Sequence, residues 1–212
     1  MGLLVIKKMQ LLLEKMQKLN ILVTIVTMRI INDLNEEEFH MKINKGYKLF
    51  EQDPDGNLYA LFIDKKAVMP IGEWLKAGNF PTKGFAARPG YHIGEGIPSA
   101  VWLMSYDGVY KSQRSKYWKR VWAEVEYVAD VDYTSVVEKL PKKCFVDKLP
   151  ENGYYKFRET GCNRVWIIAD QMKITRIISE AERMEILNKM NYNEQEAFEP
   201  YRQAMAKRMR AV

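Results

Sequence analysis

Apolar and polar residues alternate most regularly over 121–131, VWAEVEYVADV. Val121, Ala123, Val125 and Tyr127 fall on one side of an extended chain, and Trp122, Glu124, Glu126 and Val128 on the other, so the stretch predicts a strand. KGYKLF (45–50) and LYALFI (58–63) are aromatic and β-branched runs on either side of DPDGN (53–57). Pro54 sets φ there and Gly56 tolerates a positive φ, so the trio predicts a β-hairpin. PENGYYKFRE (150–159) predicts a turn and then a strand, and RVWIIADQMKITRIIS (164–179) two strands joined near Asp170–Gln171. MPIGEWLKAG (69–78) predicts a short helix or turn ended by Gly78. NFPTKGF (79–85) predicts a loop leading into a strand. PSAVWLMSY (98–106) carries a helix start at Pro98–Ser99, and DYTSVVEKL (132–140) a short helix or turn. Trp74 and Trp102 are expected in the core.

From Ser179 the period changes from two to that of a helix. Ser179 with Glu182 fits a capping box, and Met184, Ile186, Leu187 and Met190 follow at helical spacing. Asn193 with Glu196 opens a second such pattern, interrupted by Pro200, and the chain ends basic through Arg202, Lys207, Arg208 and Arg210. At the other end, GLLVIKKMQLLLEKM and ILVTIVTM are apolar, but the first is broken by charges and the second is short. Neither reaches the roughly 20 residues of a membrane helix. Three readings stand for this region: an amphipathic helix over Ile6–Leu19, a β-run over 21–28, or a natural start at Met28 or Met41. The pattern divides the chain into an N-terminal extension (1–44), an α+β core (45–179) and a basic helical extension (180–212). The core is expected to be a mixed α+β structure with short helices.

The 212 residues are 47% apolar and 12% aromatic, enough for a sizeable core and too apolar for a disordered chain. The net charge of +6 permits a polyanionic partner. Cys144 and Cys162 are isolated and read as reduced thiols of a cytoplasmic protein. With two cysteines and two histidines, no zinc or other metal site is expected. The chain holds no phosphate-binding glycine loop, and the glycines at 90, 94 and 96 lack dinucleotide-motif spacing.

Three stretches carry candidate chemistry. RPGYHIGEGIPSA (88–100) sets Arg88 and His92 among glycines and prolines. Read as a cradle, Arg88 contacts an oxyanion, the Gly90 backbone admits a ligand, and His92 orients a hydroxyl or acts as a base. Read structurally, the same letters make a turn followed by a strand. Glu124 and Glu126 share a strand face about 7 Å apart, either as an acid–base pair or as a solvated charged face. YKSQRSKYWKR (110–120) interleaves Lys111, Arg114, Lys116, Lys119 and Arg120 with Tyr110, Tyr117 and Trp118, and has no acid. Such a stretch neutralises phosphates and stacks on unpaired bases, or it is a solvated basic loop with its rings tucked under the sheet.

The run GYKLF, LYALFI, PIGEWL, PTKGFAARPGYHIGE, VWAEVE and RVWIIADQMKITRI, spanning 46–179, resembles an uncharacterised domain family of phages and bacterial mobile elements. The order of Tyr47–Phe50, Gly90–Gly94, Ala100–Met104 and Trp122–Glu126 also resembles the ADP-ribosyltransferase superfamily. That likeness implies a split β-fold clamping NAD, with Arg88, Gly90, Tyr91, Tyr47 and Lys48 around the nucleotide and His92, Glu126 and Glu124 as catalytic groups. The sequence departs from the superfamily in two places. Tyr47 and Lys48 stand where an Arg or His is usual, and RVWIIAD lacks the late-strand glutamate, with Glu159 outside it. Two functions follow as expectations: a protein that binds NAD or a related nucleotide and transfers or hydrolyses ADP-ribose, or a non-enzymatic module that binds nucleic acid or a host protein, with a virion component as a third role.

Overall fold

The structure is a computed structural model that describes residues 15–18, 23–24, 41–78, 89–140, 146, 148–158 and 165–210. The chain divides into two units, Met1–His40 and Met41–Val212. In the first unit, 15–18 and 23–24 are helical, so the two residues described within the expected β-run at 21–28 are not extended. No described helix is long and apolar enough to cross a membrane.

The second unit is α+β, with a large, mostly antiparallel open sheet and few helices. Its described strands are β1 (Ile43–Gln52), β2 (Leu58–Tyr59), β3 (Trp74–Lys76), β4 (Tyr91–Gly94), β5 (Lys119–Val128), β6 (Val131–Asp132), β7 (Gly153–Arg158), β8 (Val165–Ala169) and β9 (Gln171–Ile177). Their order across the sheet is β3-β9-β5-β1-β4-β8-β7-β6, with β2 attached to β1. Among the described strand pairs only β6–β7 is parallel.

Alternation in β1 and β5 decides which face is buried. Phe50, Ala123, Val125 and Tyr127 join Ile93, Ile167, Met172 and Ile174 in the main core. Tyr127 of β5 meets Tyr154 of β7 with ring centroids 5.7 Å apart, although β1, β4 and β8 lie between those strands. The sheet therefore curls around this core. One residue, Asp170, separates β8 from β9, yet the two strands occupy different flanks of the sheet. The expected junction at Asp170–Gln171 is present as a corner rather than a hairpin. Where β4 crosses β1, a Cβ on Gly46 would stand 2.5 Å from Ile93 Cγ2 and 2.8 Å from the Gly94 carbonyl oxygen. No other residue fits that crossing without displacement.

The opposite face of β1 and β5 is covered at one end. Leu49 and Trp122 pack with Ala100, Ile178 and the partly buried Trp102, Leu103 and Ile186. Helices α1 (Thr134–Val137), α2 (Glu180–Lys189) and α3 (Glu194–Arg210) complete the described unit. The Ser179 cap forms as expected: its hydroxyl accepts the Glu182 N–H at 3.1 Å. The Glu182 carboxylate does not close a capping box, because it is bound by Arg176.

Several local expectations are revised. The turn at 53–57 and the β1–β2 pairing are present, with Gly56 at φ +92. The return strand is only Leu58–Tyr59, because the Ala60 carbonyl accepts a hydrogen bond from Arg114 instead of a strand. Of the short helix or turn expected over 69–78, the turn is present at Gly72 and the edge strand β3 follows it in place of a helix. Gly72 takes φ +89, and the edge of β9 supplies the backbone partners. At 98–106 only a 3-10 turn forms, Val101–Leu103, and no side chain caps it. Trp74 and Trp102 are half-buried rather than enclosed. α3 continues through Pro200, since Phe198, Tyr201 and Met205 pack on Val101 and Met104 and outweigh one missing N–H. Met184 and Met190 are exposed, and Leu187 and Ile186 supply the packing.

Candidate functional site

Glu124 and Glu126 lie on the outer face of β5, as the alternation predicts, and each has a counter-ion. Strand register produces rows of complementary charge: Lys173, Glu126 and Lys45 in one row, Arg176, Glu124 and Tyr47 in the next. Lys173 Nζ sits 2.7 Å from Glu126. Lys45 Nζ and an Arg176 guanidinium nitrogen approach the two oxygens of Glu124 at 3.1 and 3.2 Å. Opposite charges directly across a ladder stabilise the pairing and leave neither carboxylate as a free base. Burial, followed by the Glu124 carboxylate, raises the Tyr47 hydroxyl above its usual range. Tyr47, Glu124, Gly96 and Lys189 border a shallow depression of about 350 Å³.

His92 is half-buried on β4, opposite Ile168 of β8. Tyr91 and Ile93 point the other way, into the main core. β1 lies between β4 and β5, and Tyr47 pairs with both Gly94 and Glu124. At ordinary strand spacing this places the Cα atoms of His92 and Glu124 on the order of 12 Å apart. The Tyr91 hydroxyl donates to the Lys76 carbonyl at 3.1 Å and is pushed up to about 12 by burial. Gly90, at φ +113, faces the Ala169 carbonyl oxygen: a Cβ there would be 2.8 Å away. Its conformation is accounted for by close approach to β8. Lys48 donates to the His92 carbonyl at 2.9 Å. Arg88 lies outside the described residues, as do Cys144, Cys162 and Glu159. Among the described residues, no group of His, Cys, Asp and Glu is placed to hold a metal ion.

The basic stretch divides into an inward and an outward set. Arg120 and Glu51, neighbours across β1 and β5, form an ion pair at 3.1 Å with both side chains 2% exposed. A second guanidinium nitrogen donates to the Leu103 carbonyl at 2.8 Å. Arg114 stacks 4.7 Å from the Trp118 ring centroid and 5.2 Å from that of Tyr59, and donates to the Ala60 carbonyl at 2.8 Å. Tyr59 and Trp118 lie 5.0 Å apart. The Tyr110 hydroxyl donates to Glu194 at 2.7 Å, and Arg183 binds the same carboxylate at 2.9 Å.

The outward set is Lys111, Lys116, Tyr117 and Lys119. Tyr117 is 71% exposed. Lys111 pairs with Asp107, and that hydrogen bond holds the carboxyl below its usual range. Arg114 and Trp118 dock on Tyr59 and Ala60, and loop 61–68 follows these two residues directly in the chain. It presents Phe62, 54% exposed, with Lys65 and Lys66. Sequence reasoning assigned Phe62 to a strand. The signal against that assignment was the Asp64-Lys65-Lys66 run directly after it.

No match to a protein-family model, a curated protein or a solved structure was found for this chain.

Proposed function

We propose that the protein is a non-enzymatic binding module whose ligand is single-stranded nucleic acid, held by the 111–119 segment and the adjoining loop 61–68. The observation that supports this reading is the way the segment is built. Arg114 and Trp118 anchor it to Tyr59 of β2, which leaves Lys116, Tyr117 and Lys119 turned outward, and the loop that follows β2 carries the exposed Phe62, Lys65 and Lys66. Ammonium groups neutralise phosphates, and an exposed ring stacks on an unpaired base of any identity. From Gly108 to Ala123 the chain carries no acid that would repel the backbone. The test is titration of a labelled mixed-sequence oligonucleotide at several salt concentrations. A logarithm of affinity that falls linearly with the logarithm of salt supports the reading, and affinity indifferent to salt ends it.

A second reading is favoured by the depression beside Tyr47 and Glu124. In it the curled sheet is an ADP-ribosyltransferase-like core, and the depression takes NAD or a related nucleotide. The Glu124 pairs to Lys45 and Arg176 must open for its carboxylate to meet a developing positive charge on ribose. Incubation with labelled NAD, in wild type and in Glu124→Gln and His92→Ala variants, distinguishes the two readings. Nicotinamide release or label transfer that the variants lose favours the enzyme. No NAD binding and no turnover removes it.

A further inference from the structure

The two edges of β1 are used differently. β5 pairs with it along its whole length. On the other edge β4 pairs only at Tyr47↔Gly94, and β2 takes over at Glu51 and Gln52. Lys48, Leu49 and Phe50 lie in the fork between those two partners. Lys48 is set opposite Ala123, on the sheet face that carries Phe50 and Val125 into the main core. Its Nζ reaches across the fork to the His92 carbonyl and stands 5.8 Å from the Phe50 ring centroid.

We propose that Lys48 is a reactive-amine site, and that its ε-amine in this fork condenses with the carbonyl group of an aldehyde-bearing ligand. The proposal stands apart from the nucleic-acid reading and uses none of its residues.

The neighbours of Lys48 set it apart from other lysines of this unit. Lys45, Lys76, Lys111, Lys156 and Lys173 each have a carboxylate within ion-pair distance. Lys48 forms no ion pair among the described residues, and its Nζ donates to a neutral backbone carbonyl. A carbonyl accepts an N–H from the neutral amine as well as from the ammonium ion, so deprotonation keeps the contact and frees a lone pair. Burial without a counter-ion disfavours the charged form and brings the amine from 10.5 down to about 8. Near neutral pH, roughly a tenth of such amines are nucleophilic, against less than about 0.1% of ordinary lysines.

In the step itself, the Nζ lone pair forms a bond to the carbonyl carbon and the C=O π pair moves to oxygen. One nitrogen proton passes to that oxygen, giving a carbinolamine. The nitrogen lone pair then expels the oxygen as water once it takes up a second proton. Loss of the remaining nitrogen proton to solvent leaves a neutral imine. No oxidant or reductant is consumed. Lys48 is half-buried rather than enclosed, and a small carbonyl compound must reach Nζ through that exposed part.

The test uses the full chain. At neutral pH it is exposed briefly to limiting propionaldehyde with cyanoborohydride, which traps the imine, and the alkylated lysines are located by peptide mass spectrometry. Lys48 is expected to be modified about tenfold faster than the exposed Lys65 and Lys66, lower basicity offsetting part of its larger neutral fraction. Separately, lysines methylated with 13C-formaldehyde are titrated by NMR, with Lys48→Gln assigning the signal and Lys45→Gln as the control. A Lys48 midpoint near 8 supports the site. Modification no faster than at Lys65, or a midpoint above 10, overturns it. If Lys48→Gln fails to fold, the wild-type labelling rates still decide.

Discussion

The outer ladder of β1 and β5 and the 111–120 segment both looked like chemistry in the sequence, one through its carboxylates and the other through its cations. Their side chains meet opposite fates. On the ladder each carboxylate lies across from a lysine or arginine of a neighbouring strand, so the face is charged but locally neutral. In the segment two cations turn inward, Arg120 onto Glu51 and Arg114 onto Tyr59 and Trp118, while Lys116 and Lys119 stay in solvent. A charge in the sequence is available to a ligand only where the fold gives it no partner. Strand register supplies a partner, as it does for Arg120 opposite Glu51, whereas the loop leading into β5 is anchored at only a few points.

Breaking the inward pair should have the largest effect. Arg120→Ala leaves Glu51 buried without a counter-ion and should cost about 3–5 kcal/mol in urea denaturation, whereas the joint exchange Glu51→Leu with Arg120→Met should recover most of it. A much smaller loss for the single variant would show that Arg120 is in solvent and available to a ligand.

Lys48 extends the comparison to a half-buried lysine with no acid partner among the described residues. Its folded-state value is depressed below that of the unfolded chain, so the charged form opposes folding. The penalty is full below about pH 8 and vanishes as pH rises through 10.5. Relative to Lys48→Met, the wild type should therefore lose stability on going from pH 10 to pH 7, by roughly 3 kcal/mol at most. A gap that does not change with pH would place the amine in solvent.

The outward set is tested by binding. Tyr117→Ala should weaken an oligonucleotide by about 1–3 kcal/mol, roughly five- to 150-fold, if the ring stacks on a base. Replacing Lys116 and Lys119 together by alanine should reduce the log–log salt slope by about 1.4, two phosphates' worth for a single strand. The smallest effect is expected on the ladder. Glu124→Gln should change stability by less than about 1 kcal/mol and leave oligonucleotide affinity unchanged. A marked loss of affinity there would move the binding face from the segment to the ladder.

Much of the strand pattern was legible. The alternation from Val121 to Tyr127 gives both faces of β5, and the Ser179 cap marks the start of α2. The candidate site was legible in residue type but not in partnership. Nothing in RSKYWKR distinguishes Arg114 and Arg120, which are spent inside the molecule, from Lys116 and Lys119, which are not. Their partners, Ala60 and Glu51, are distant in the chain. The β3 strand was read as a short helix or turn because a three-residue edge strand has no periodicity of its own and exists only because β9 offers it backbone partners.

The sequence by itself determined the local matters: which residues alternate, where turns and caps fall, and that this unit builds a sheet with helices following it. These follow from backbone sterics and the spacing of apolar side chains over a few residues. The tertiary structure alone decided that the sheet curls, that β4 leaves β1 beside Lys48, and that each outer-ladder carboxylate meets a cation. Those outcomes depend on contacts between residues far apart in the chain, and a burial or charge pattern read along the chain carries no record of which strand will lie beside which.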